Sequence, residues 1–193
     1  MLESVKVLDF TFNIGFGKFN EKDCLKADKN SVVVYPYNSF SPVDLSSEIV
    51  GGGGVVKKLA ECSKAIDGSI FCGVKTFILD IKHISVAVCN KGRLVDIVDR
   101  ASNYLGDEFG TSNKIKVFST KMGRIGLLVD SDCLLESSWQ KTAEHADIML
   151  CINRGNDEIS KEEVRLFSAC YKISYVYVDD NSVEWHEFSN AKH

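Results

Sequence analysis

A chain of 193 residues fits one globular domain, and folding at that size buries roughly 70% of the unfolded surface, enough for a layered core without staples. Its 45% hydrophobic and 26% charged residues are those of an ordinary soluble protein, and a formal net charge of −4 with a pI near 5.6 argues against nucleic acid as a partner. No apolar run reaches the length of a bilayer span, and Met1-Leu2-Glu3-Ser4-Val5-Lys6 lacks the cationic and apolar segments of a secretion signal, so the expectation is a cytoplasmic protein with no membrane partner.

In chain order, Val5 to Phe10 reads as a first strand, and Phe12 to Phe19, with two glycines, as a loop near a pocket. Glu21 to Asp28 has room only for a short helix, and Ser31 to Pro36 is a buried strand ended by its proline. Tyr37 to Asp44 carries Asn, Ser and Pro and is expected as an exposed loop off that strand end, where functional groups commonly sit. Gly51 to Gly54 precedes an amphipathic helix through Val55, Leu59, Cys62 and Ile66; without the Gly-x-x-x-x-Gly-Lys-Ser/Thr pattern the run reads as a hinge rather than a phosphate cradle. Ser69 to Leu79, His83 to Cys89 and Leu94 to Val98 are strands, the last two joined by a turn at Asn90-Lys91-Gly92-Arg93. His83, inside an alternating strand, reads as structural or solvent-facing. Asp99 to Asn113 is a long polar loop, and Lys114 to Thr120 a further strand.

The organising stretch is Met122 to Ala146. Arg124 to Val129 is a short apolar strand, Asp130-Ser131-Asp132 a sharp polar turn, and Leu134, Leu135, Trp139, Thr142 and Ala143 recur at helical spacing through His145. Such an elbow presents side chains and free backbone N–H groups together at a helix start, where anions are stabilised. Asp147 to Ile152 is again a strand, Asp157 to Tyr171 a helix, Ile173 to Val178 a strand, and Val183 to Phe188 adds one more. Strands alternating with helices, plus a mid-chain hairpin, indicate an α/β layered fold with a mixed sheet, one domain over 1–193. The seven cysteines have no Cys-x-x-Cys pair and no His at ligand spacing, so they read as core thiols in a reducing compartment, with neither metal nor cofactor expected.

Three blocks in order resemble the carbon–nitrogen hydrolases, the nitrilases and aliphatic amidases: Val32-Val33-Val34-Tyr35-Pro36; Gly92-Arg93-Leu94-Val95 through Arg100; and Gly123-Arg124-Ile125-Gly126 through Asp132 with Ala146-Asp147-Ile148-Met149-Leu150. The resemblance implies a four-layer αββα sandwich, here C-terminally shortened, that pairs into dimers through helices beside the elbow. It also implies a Cys nucleophile, a Glu general base and a Lys that holds the oxyanion. All three positions depart: the Glu position is Tyr37, the Lys position Arg100 and the Cys position Asp130, with Asp132 retained.

The departures have chemical consequences. A phenol with a reference pKa of about 10 is a poor base at neutral pH, arginine keeps its charge but trades no proton, and a carboxylate attacking an amide would give an anhydride-like intermediate. Loss of a protease nucleophile costs roughly 10⁶-fold in kcat, and here the base goes with it. The expectation is therefore a pseudoenzyme, a small-molecule-binding or assembly protein, in which Tyr37, Arg100, Asp130 and Asp132 form a polar cluster with Arg100 paired to Asp130. That cluster could hold structure by itself or bind a small anionic or amide-bearing metabolite. Two alternatives stand beside it: an active carbon–nitrogen hydrolase with a relocated nucleophile such as Cys133, and an unrelated doubly wound domain with a single parallel sheet.

Overall fold

In the computed structural model, which describes residues 2–49, 53–101, 109, 116–155 and 158–188, two sheets stack face to face. The first holds β1 (Leu2–Val7), β2 (Phe10–Gly15), β3 (Val32–Tyr35), β4 (Val43–Asp44), β5 (Ser69–Ile78), β6 (Ile81–Asn90) and β7 (Arg93–Asp99), ordered β1-β2-β3-β5-β6-β7 with β4 against β5. The second holds β8 (Lys116–Thr120), β9 (Gly123–Val129), β10 (Ile148–Ile152), β11 (Tyr175–Val178) and β12 (Val183–His186), ordered β12-β11-β10-β9-β8. The single parallel sheet of a doubly wound domain is thereby excluded. Both sheets are parallel at the centre, β2-β3-β5 and β9-β10-β11, and antiparallel at their flanks.

Two-residue alternation along each strand builds the layers. Val34, Phe71, Ile84 and Val86 face Leu127, Val129, Leu150 and Val176 in one apolar core between the sheets. Their neighbours Val33, Ile70, Cys72 and Ala87 turn outward beneath Leu59 and Cys62 of α3 (Val55–Ala65), which follows two short helices, α1 (Glu21–Cys24) and α2 (Leu45–Ile49). Leu128, Met149, Cys151 and Tyr177 turn outward beneath Trp139 of α4 (Glu136–Ala143) and Val164 of α5 (Glu158–Tyr171). The result is the αββα sandwich, and strands covered on both faces explain the unbroken apolar runs at 32–34 and 148–152. Among the described residues no helix is long and apolar enough to cross a membrane.

Several sequence expectations need correction. The strand placed at Val5 to Phe10 breaks at Leu8, whose φ is 54°, into the β1–β2 hairpin. The loop placed at Phe12 to Phe19 is therefore strand as far as Gly15, with Phe12 and Ile14 buried. Gly15 belongs there for space: a Cβ would lie 2.2 Å from the Tyr35 ring. Nor is Tyr37 to Asp44 an exposed loop. Tyr37 and Ser39 are buried, Val43 and Asp44 pair with β5, and Asn38 donates its backbone N–H and its amide to Asp180. Asn38 thus finds its partner inside the protein, across the two sheets. Gly51 and Gly52, and most of the loop expected at Asp99 to Asn113, lie outside the described residues. At the start of α3 the Glu48 carboxylate accepts the backbone N–H groups of Val55 and Val56 at 3.1 Å, so a resident anion occupies the place where a phosphate would have been cradled.

Candidate functional site

The elbow forms where β9 runs out. Val129 is extended, Asp130 has φ 53°, and a short 3-10 turn over Asp130–Leu134 precedes α4. A non-glycine residue in the left-handed region is a strained presentation, held only when surroundings fix it. Here they do. Asp130 is buried, and its Oδ2 accepts Arg100 Nη1 at 3.0 Å and Arg154 Nη2 at 2.9 Å, while its Oδ1 accepts Arg154 Nε at 2.8 Å. Arg154 grips the carboxylate with both arms of its fork, and Arg100 adds a third charged contact.

Each partner arrives from a strand end. Arg100 follows β7 and is completely buried; Arg154 lies just past β10. Tyr37, after Pro36, is buried beside them and donates its hydroxyl to the Ile152 carbonyl at 3.5 Å. Burial, then the negative charge of Asp130, push the Tyr37 phenol well above its ordinary range, so it stays protonated and has no capacity to act as a base. Asp132 is also buried, and its Oδ2 accepts the Ala101 N–H at 2.8 Å, fixing the chain just after Arg100. The Phe109 ring lies over both guanidiniums, 5.7 Å from Arg100 Cζ and 5.0 Å from Arg154 Cζ.

All four residues singled out from sequence therefore sit in one region, with Arg100 and Asp130 ion-paired. Arg154 and Phe109 were missed. Arg154 had a usable signal: β9 and β10 are parallel neighbours with Val129 opposite Ile152, so a residue just past one strand end must lie near a residue just past the other. Phe109 had none. Cys133 faces away from the cluster, in the core beneath α4 and α5, with its Sγ 3.6 Å from the Leu128 carbonyl. Burial first, then Cys151 and the two aspartates, push its thiol well up, which suppresses the thiolate a nucleophile needs. Trp139 closes over it, donating Nε1–H to the Cys133 carbonyl at 2.9 Å. Among the described residues no group of three or more His, Cys, Asp or Glu side chains is placed to hold a metal ion.

Solved structures share this architecture. Nit3 of Saccharomyces cerevisiae, a member of branch 10 of the nitrilase superfamily, aligns over 86% of this chain and 72% of its own, with a TM-score of 0.63 and 13% identity. A carbon–nitrogen hydrolase from Helicobacter pylori G27 aligns over 90% and 78%, with a TM-score of 0.66 and 11% identity. This chain has the nitrilase fold. A variant of the amidase from Nesterenkonia sp. AN1, bearing the acetamide moiety of fluoroacetamide at its active site cysteine, shares the nitrilase fold over 92% of this chain and 78% of its own, with a TM-score of 0.68 and 12% identity. No family model matches the sequence, and no curated protein matches it.

Proposed function

We propose that this chain is a nitrilase-superfamily homologue that no longer hydrolyses carbon–nitrogen bonds and works as a binding and assembly protein. The observation that carries this reading is the engagement of Asp130, whose two carboxylate oxygens are both taken by arginines, one of them the Arg154 fork. A carboxylate so held has little nucleophilicity left. Tyr37 offers no base, and Arg100 is committed to the ion pair. Relocated catalysis through Cys133 finds no support in a thiol buried in the outer core. The elbow then serves the fold, and a small anionic or amide-bearing metabolite would bind in front of it. Cytoplasmic work suits seven free cysteines.

Assay of ammonia release from a panel of aliphatic and aryl amides and nitriles tests the reading. We expect the wild type to match the buffer blank. Release above blank that is lost in Cys133→Ser would overturn the non-catalytic assignment. The assembly expected is a homodimer through α4 and α5, where Leu166 is exposed, and sedimentation equilibrium of wild type against Leu166→Asp reads it; a wild type that stays monomeric contradicts that part.

A further inference from the structure

The β5–β6 hairpin outruns the sheet it covers. Its strands have ten residues each, against seven, five and four in β9, β10 and β11. Phe71 on β5 and Val86 and Ile84 on β6 face inward in the core between the sheets. Continuing by twos on the same face brings Lys75 and Phe77 on one strand and Lys82 on the other, with Phe77 directly opposite Lys82 and Lys75 opposite Ile84. Lys75 and Lys82 are thus diagonal neighbours, about 7–8 Å apart at the backbone, with the Phe77 ring on the same face.

A cavity of about 430 Å³ opens beneath this overhang, lined by Pro42, Lys75, Phe77, Asp80, Lys82 and Phe109 among others. Phe109 is the same ring that covers Arg100 and Arg154, so the cavity lies in front of the occupied elbow. Its size is that of a small organic ligand's site, and its make-up, aromatic walls with a few polar groups, is the usual one. Among the described lining residues two ammonium groups stand against the one carboxylate of Asp80, with the Asp180 carboxylate outside the lining also attracted to Lys75. Neither lysine forms an ion pair among the described residues. A small dianion would leave the aromatic walls unfilled, and a cation would face both lysines.

We propose that this cavity binds a small apolar monocarboxylate, an aryl or alkyl acid, with its carboxylate between Lys75 and Lys82 and its body between Phe77 and Phe109. The assignment rests on the reading of the chain as a binding protein and names the ligand class in front of the silent elbow.

Isothermal titration calorimetry of the full chain with phenylacetate, and with phenylacetamide as its neutral match, tests this. Phenylacetate is expected to bind with a Kd of about 1 mM or tighter and at least about tenfold more tightly than phenylacetamide. Lys75→Ala/Lys82→Ala should weaken phenylacetate binding about tenfold or more, and Lys75→Arg/Lys82→Arg should retain it. Both lysines are exposed, and an unchanged circular dichroism spectrum and Tm confirm that the variants fold. No binding of the acid, equal binding of acid and amide, or a double-alanine variant that binds like wild type would each overturn the proposal. Ammonia from phenylacetamide would instead overturn the non-catalytic reading and leave the acid site standing.

Discussion

At the scale of the single residue, Asp130 is the electrostatic centre of the elbow, because its carboxylate stands between two arginines of which Arg100 is wholly enclosed. Removing one member of a buried ionic group leaves its partners charged and desolvated. Asp130→Ala is therefore expected to lower unfolding free energy by about 3–5 kcal/mol, read from the urea midpoint at constant m. Arg154→Ala should cost less, since its side chain is 29% exposed and Arg100 still neutralises the carboxylate through Oδ2. A loss for Asp130→Ala below that for Arg154→Ala would contradict this ordering. Tyr37, Arg100 and Asp130 were legible because the resemblance to the carbon–nitrogen hydrolases marks those positions, each at or just past the end of a patterned strand. Arg154 was missed, since its signal lies in the pairing of β9 with β10 and not in any local pattern.

At the scale of the element, the hairpins show where local signals succeed and where they fail. The β6–β7 turn was legible from Gly92, which sits at φ 87° after Lys91 at 46°. The β5–β6 turn uses the same left-handed pair at Leu79 and Asp80, φ 48° and 67°, with no glycine to announce it, so only the flanking alternation pointed there. The β1–β2 hairpin was hidden for the same reason, Leu8 standing in for a glycine. Such positions are strained for a bulky residue, and Leu79 recovers little, being 87% exposed. Leu79→Asn/Asp80→Gly should therefore stabilise the protein by about 1 kcal/mol, seen as a Tm rise of a few degrees. A fall in Tm would mean that the exposed Leu79 makes contacts worth more than the strain.

At the scale of the whole molecule, the two sheets are joined in two chemically different ways. Apolar side chains such as Phe71, Val86, Leu127 and Leu150 fill the space between them, while the charged cluster ties Arg100, from the last strand of the first sheet, to Asp130 and Arg154 of the second. The apolar layer should carry the net stability: Leu150→Ala is expected to cost about 2–5 kcal/mol. The ionic tie should carry little net stability despite the cost of breaking it singly, because burying Arg100 and Asp130 and partly covering Arg154 forfeits hydration that their mutual attraction only returns. Replacing all three together removes both terms. Arg100→Met/Asp130→Leu/Arg154→Leu is accordingly expected to unfold within about 1 kcal/mol of wild type or above it, although Asp130→Ala alone loses several times that. The comparison is made by urea unfolding, with near-ultraviolet circular dichroism to show that the aromatic packing survives. A triple variant as unstable as Asp130→Ala would mean that the arginines hold the sheets in register through contacts of their own, and that the elbow is a structural joint that contributes net stability.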